Sequence, residues 1–359
     1  MDRSGLILTI IGILCIGVYS AEPTTGDNLA VTFATVSEGK DILTARDDFV
    51  ERLSPFDRAA RMKTDQDVSE KQFLEFIGQN VLAWTGPEKK KVTAALEDIK
   101  PELESMSLPL PKRIYMVKTS GKEEGGAAYT RANAIVLPKR QIGGRKKAIQ
   151  KLICHELFHI LSRANPELKE RLYRVIGFEK CNEIEFPAKL KSRKITNPDA
   201  PKNDHCIRLQ VDGKSVWAIP ILFSKTEKYD PGRGGEFFRY LVFRLLLVER
   251  SSDPAAVKPV YDGPEPKLVD MSRISGFFEQ VGKNTGYIIH PEEILADNFA
   301  LLVLEERNMP SPEIIRKVKE VLKESKPAEP GDSANADKPI PRDNQPEMSI
   351  AYEESPPMK

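Results

Sequence analysis

Cysteine, histidine and an excess of either charge are all in short supply in this chain, and each shortage narrows what it can be. Four cysteines are scattered through 359 residues, too few for a disulfide-framed scaffold. The charges cancel: 54 Lys and Arg stand against 53 Asp and Glu, for a formal net charge of +1. That balance argues against nucleic acid or an anionic membrane surface as the main partner. The apolar run at the N-terminus, Leu6 to Val18, is shorter than the roughly 20 residues a membrane-spanning helix needs. There is no internal repeat. Histidine occurs only four times, so any pattern built from two of them is unlike a chance product of composition.

The remaining composition, 40% hydrophobic and 30% charged, is that of a globular protein able to bury a sizeable core. Arg3, the apolar run, and then Ser20 and Ala21 have the layout of an export signal. A leader over residues 1–20 is therefore expected, with an exported (periplasmic or secreted) mature chain and no stable membrane insertion after cleavage. The alternative is an anchor formed by the same segment left uncleaved. Leader removal would leave Cys154, Cys181 and Cys206, of which Cys181 and Cys206 could pair in an oxidising compartment.

Patterning divides residues 21–325 into successive parts of one domain. Residues 44–110 are helical in character: Phe73, Phe76, Ile77 and Val81 recur at helical spacing behind the cap signal Ser69 and Gln72, and Pro87 opens a second helix. Arg113–Lys118 alternates like a strand, and Ala127–Pro138 reads as another. A helix follows from about Arg145 to Arg163, closed by Asn165-Pro166, with a short amphipathic helix after it. Residues 187–261 form a β-rich insert, with a hairpin signal at Asp212-Gly213. Helices return at Pro291–Arg307 and Ser311–Lys323. Residues 326–359 are too poor in large apolar groups to offset their ordering entropy.

The chemistry lies in the stretch LICHELFHILSRANPE. His155-Glu156-Leu157-Phe158-His159 is the H-E-x-x-H pattern. On a helix, residues four apart share a face, so both imidazoles can reach one tetrahedral ion at about 2.0–2.1 Å. Glu156 lies beside the first histidine and is placed to take a proton from metal-activated water and pass it to a leaving amine. The alternative is a hydrogen-bonded pair of structural histidines with no metal.

A catalytic zinc needs a third protein ligand and one open position. Ser162 and Asn165 stand where the extended metzincin pattern would have Gly and His, which excludes that branch. Glu293 is the leading candidate: with Asp297 it forms a second i, i+4 pair on the helix starting at Pro291. Glu179 is a rival, nearer in sequence but in loop-like surroundings and followed at i+4 by Glu183.

H-E-x-x-H on one helix followed by E-x-x-x-D on a later one resembles the gluzincin metallopeptidases, whose site is thermolysin-like. The resemblance covers Arg113–Asn165 and Gly286–Arg307. It implies that His155, His159 and Glu293 bind Zn2+, that Glu156 is the catalytic base, and that Asp297 orients a ligand, His155 being the expected one. It departs from compact members of that group in the long separation between the two motifs. The implied fold is α+β and zincin-like: N-terminal helices, a small mixed sheet with an edge strand, the metal helix, the β-rich insert and C-terminal helices. Zincins lay an edge strand over the cleft, which would put Asn133 and Ala134 against an extended substrate. For the donor facing the developing oxyanion, Tyr287 is the expected residue, with His290 and Tyr240 as further candidates.

The expected function is thus a zinc-dependent metallopeptidase acting on a peptide or protein substrate. A protein that holds zinc as a binding or scaffold module without turnover is the alternative, and the intact Glu156 counts against it.

Overall fold

A computed structural model describes residues 30–253 and 255–324. The expected leader (1–20) and polar tail (326–359) lie outside the described residues. Within them the chain mixes α and β structure, and no helix is long and apolar enough to cross a membrane.

The first sheet has the order Ala30–Phe33, Arg113–Thr119, Ala134–Pro138, Tyr129–Arg131. Its first three strands are parallel and the outermost is antiparallel. Val81–Leu82 pairs beside Ala30–Phe33 on the same central strand. Parallel neighbours require a crossover connection, which here carries the N-terminal helices. Four of these, Val36–Thr44, Pro55–Arg61, Glu70–Gln79 and Gly86–Met106, begin with reciprocal capping boxes at Thr35, Ser54, Ser69 and Thr85. Each box satisfies backbone donors that the first helical turn leaves open.

Residues 127–138, expected as one strand, are instead a tight hairpin. Ala132 takes a left-handed φ of 49°, which reverses the chain after Arg131. Asn133 secures the turn on the central strand: its Nδ2 donates to the Arg113 carbonyl at 2.8 Å, and its own carbonyl accepts from the Tyr115 N–H at 3.0 Å. This removes Asn133 and Ala134 from the sheet's edge. Ala134 is wholly buried in an inner strand, and the edge belongs to Tyr129–Arg131.

The motif helix Lys146–Ala164 packs its apolar residues Ile149, Ile153, Leu157, Phe158 and Leu161 into the largest core cluster. The cluster also holds Ile114, Met116, Ile135 and Leu137 from the first sheet, and Ile294, Leu295 and Phe299 from the helix Pro291–Val303. Asn165 ends the motif helix by donating to the Leu161 and Pro109 carbonyls, and Pro166 opens the helix Pro166–Val175.

A second sheet, antiparallel, runs Val257–Pro259, Leu241–Arg250, Lys214–Ser224, His205–Val211, Ile274–Ser275. Its hairpin turns at Asp212-Gly213, both at positive φ, as a two-residue turn compatible with sheet twist requires. Leu241–Arg250 is a strand, its residues Leu241–Val248 pairing with Trp217–Ser224. The sheet reaches past residues 187–261 at both ends, since Phe178–Lys180 and Ile274–Ser275 each pair with His205–Val211. Phe178 and Phe277, where the chain enters and leaves it, are buried in the same core as the motif helix, along with Ile207, Ala218 and Leu245. The insert therefore returns the chain to its starting point, and the helix Pro291–Val303 lies directly against Lys146–Ala164.

One buried ionic group joins the N-terminal helices to this body. The Arg61 guanidinium, fully buried, meets Asp57 at 2.6 Å and Glu124 at 2.8 Å, and donates to the Thr196 carbonyl at 2.9 Å. Asp57 also accepts from the Thr196 N–H, and Arg61 lies 4.3 Å from the centre of the Phe237 ring. Truncating one member leaves the other charges buried without compensation. Arg61→Ala should lower the unfolding free energy by about 3–5 kcal/mol, measured by urea denaturation. A loss below about 1 kcal/mol, as for an exposed pair, would show that this group is not structural.

Candidate metal centre

Helix geometry places His155, Glu156 and His159 together. Their turn of the motif helix faces the first two turns of the helix Pro291–Val303, with Glu292 and Glu293 in the first and Asp297 in the second. The His155 and His159 rings are 4.8 Å apart, centre to centre, and nearly perpendicular. Glu293 Oε2 lies 3.0 Å from His155 Nε2 and 3.7 Å from His159 Nε2. Ligands at 2.0–2.2 Å around a tetrahedral ion are about 3.3–3.5 Å apart, a value these two distances bracket.

The outward nitrogens decide which way the rings present themselves. His155 Nδ1 lies 3.1 Å from Asp297 Oδ1, and His159 Nδ1 lies 3.1 Å from Glu292 Oε1. Ionised carboxylates only accept, so each Nδ1 carries the proton and each Nε2 is turned toward Glu293. The carboxylates are fixed in turn: Thr285 donates to Asp297, while Ser162 and the Tyr173 hydroxyl donate to Glu292. Asn197 donates to the other oxygen of Glu293. Such outer partners fix the orientation and basicity of a liganding imidazole.

Positive charge can enter this arrangement as a proton on each imidazole or as one shared cation. Burial opposes protonation of His155, but Asp297 and Glu293 together hold its pKa well above the usual value. Burial likewise opposes protonation of His159, which Asp199, Glu293 and Glu292 raise to about 9. Glu293 and Asp297 are held below the carboxylate range by the imidazoles despite burial, and Glu292 is held at about 2. A proton on His159 Nε2, however, would lack an acceptor at hydrogen-bond distance: that buried atom makes no hydrogen bond, and Glu293 Oε2 stands 3.7 Å away. Glu156 Oε2 is also buried and without a partner, and burial with the nearby Asp199 charge pushes this carboxyl up to about 8. Unpaired buried polar atoms are costly. A cation held by His155, His159 and Glu293 would satisfy the three converging atoms at once, and those residues could hold one.

The remaining expected residues lie at different distances from this point. Tyr287 stands at the rim, 42% exposed, its ring stacked 6.3 Å from that of His155. His290 caps the Pro291–Val303 helix by accepting from the Glu292 N–H at 3.1 Å. Tyr240 is buried elsewhere, its hydroxyl donating to the Asp230 carbonyl. Glu179 is on a strand and pairs with Arg250 at 2.8 Å, away from the histidines. Cys154, Cys181 and Cys206 are all free and buried.

Sequence reasoning missed Asn197 and Asp199. Asp199 places a carboxylate oxygen within 4.8 Å of both the Glu156 carboxylate and a His159 ring nitrogen. Both residues lie in the irregular stretch TNPDAPK, which has no periodicity to mark its destination. Glu292 was visible as a neighbour of Glu293, but helix phase alone does not show that it reaches His159.

Comparison of the chain with protein-family models, with curated proteins and with solved structures finds no match.

The outer carboxylates give this centre a quantitative test. Asp297→Ala removes the acceptor of His155 Nδ1–H and should weaken zinc binding about 10–100-fold, read by competition with a chromophoric chelator. Affinity equal to that of the unaltered protein would mean that His155 does not bind through the orientation Asp297 imposes.

Proposed function

We propose that the chain is a zinc-dependent metallopeptidase with a zincin-like site, acting on peptide or protein substrates outside the cytoplasm. The observation that carries this reading is the convergence of His155 Nε2, His159 Nε2 and Glu293 Oε2, with Glu156 unpartnered beside them. Two neutral imidazoles and one carboxylate are the donor set of a catalytic zinc that keeps an open position. When bound, zinc lowers the pKa of coordinated water to about 7 and polarises a carbonyl.

The protein's own groups have separable tasks. Asp297 and Glu292 accept from the two Nδ1–H groups, which leaves each Nε2 lone pair turned toward the ion's position and makes it a stronger donor. Glu156 receives the proton of the attacking water on its free Oε2 and delivers it to the leaving nitrogen. The sheet edge Tyr129–Arg131, antiparallel to its neighbour, is where an extended peptide would add, and in this structure its three residues are buried, with Asp199 on the Thr130 N–H. That edge replaces Asn133 and Ala134 as the substrate platform. Tyr287, against His155 at the rim, supplies a phenolic donor toward the oxyanion. Beside it lies a cavity whose lining combines Ala128, Phe237 and Phe238 with Glu124, Asn197 and Asp199.

The base is the most direct test. Glu156→Gln should leave one zinc per chain, measured by elemental analysis, while hydrolysis of an unstructured peptide falls about 10²–10⁴-fold. A zinc-holding scaffold without turnover would show no hydrolysis in either protein. An undiminished rate in the variant would rule out Glu156 as the base.

A further inference from the structure

We propose that Asp199 is an internal occupant of the open side of this metal site, and that the strap Thr196–Ala200 keeps the resting chain latent until substrate displaces it. The inference rests on the zinc reading above and adds a residue and a state to it.

Three observations carry it. Asp199 lies within 4.8 Å of the His159 ring nitrogen and the Glu156 carboxylate, the two residues whose inward atoms are buried and unpartnered. Water or a substrate carbonyl would have to sit between the ion and Glu156 to react. A third carboxylate beside that gap competes for the position, and a cation is what would hold two such carboxylates together.

The same Asp199 side chain also blocks the edge strand. Its Oδ1 accepts from the Thr130 N–H at 2.6 Å and from the Thr130 hydroxyl at 2.7 Å. Thr130 is the middle residue of the edge strand, and this N–H is the donor an incoming peptide carbonyl would need. One carboxylate therefore takes the place of substrate on both sides of the cleft.

The third observation concerns how the strap is held. Its start is anchored firmly, since Thr196 is bonded through its N–H to Asp57, through its carbonyl to Arg61 and through its hydroxyl to the Arg52 carbonyl. Beyond Thr196 the character changes. Among the described residues, no backbone-to-backbone hydrogen bond involves Asn197 to Lys202. Side chains do the holding: Asn197 donates to Glu293 and accepts from the Asp199 N–H at 3.0 Å, and Asp199 accepts from Thr130. Pro198 and Pro201 cannot donate to the edge strand themselves. A peptide that adds main-chain bonds to Thr130 replaces these contacts like for like, so displacement loses no ladder.

Asp199→Ala tests the proposal in cobalt-substituted protein, with acetohydroxamate as probe of the open position. The variant should bind the probe at least about tenfold more tightly (1.4 kcal/mol), followed by the cobalt absorption spectrum. Its Thr130 amide should exchange hydrogen faster, and kcat/KM on an unstructured peptide should rise. Thr130→Val removes only the hydroxyl bond, and should give smaller shifts in the same direction if the first variant fails to fold. Cobalt bound equally by all proteins with an unchanged probe affinity would overturn the latch alone. Lost hydrolysis in Asp199→Ala with unchanged probe affinity would overturn it too, making Asp199 part of the catalytic machinery. No cobalt in the unaltered protein would overturn this proposal together with the zinc reading.

Discussion

Two ring nitrogens and a carboxylate oxygen are aimed at one another from two helices, and electron pairs so arranged repel unless positive charge lies among them. Asp297 and Glu292 create this constraint by claiming the protons of both Nδ1 atoms, leaving each Nε2 facing Glu293. Buried carboxylates are expensive to ionise, and here they stay ionised because imidazole N–H, hydroxyl and amide donors compensate them. The polar network is closed everywhere except at its centre, where His159 Nε2 and Glu156 Oε2 lack partners. A divalent cation is the simplest charge that completes it, which is why the proposed zinc chemistry follows from the geometry of the surrounding shell as much as from the motif.

The rest of the fold holds two helices at the separation this network requires. Nearly all of Pro291–Val303 is buried, and its apolar residues share a core with Lys146–Ala164, so the helices cannot slide without opening that core. The second sheet could have forced them apart. It stays joined to that core through Phe178, Ile207, Ala218, Leu245 and Phe277, which makes a long insertion part of the same packing. Chain entropy rises only slowly with the length of such an excursion, so a large insert between two halves of one site is a modest burden.

What the sequence disclosed follows from the range of the interactions concerned. Periodicity and capping are local, so the helix bearing His155 and His159, the helix bearing Glu293, the Ser69 cap and the Asp212-Gly213 turn could all be read from residues a few positions apart. The Glu293–Asp297 pair was legible for the same reason. The hairpin at Ala132 was not: alanine is an ordinary strand residue, and the reversal is fixed by Asn133 bonding to Arg113 and Tyr115, some twenty residues earlier. The same reversal takes Asn133 and Ala134 off the sheet's edge, which Tyr129–Arg131 forms instead. Asn197 and Asp199 were illegible for a stronger reason. Their partners, Glu293 and Thr130, lie 96 and 69 positions away, and a polar, proline-containing stretch carries no signal of where its side chains will end up.

That same stretch shows how a polar segment can be held beside the candidate metal centre. A loop that covered the site through backbone pairing would trade one permanent sheet for another and could not yield easily to substrate. Side-chain bonds from Asn197 and Asp199, with prolines interrupting the backbone donors, cover the site while leaving the edge strand's ladder unformed. The firm hold on Thr196 by the buried Arg61 and Asp57 then acts as a hinge post. It fixes where the strap begins, so that a segment released by substrate still returns to the same place. Backbone anchoring is concentrated at Thr196, and the side-chain bonds begin at the next residue, Asn197.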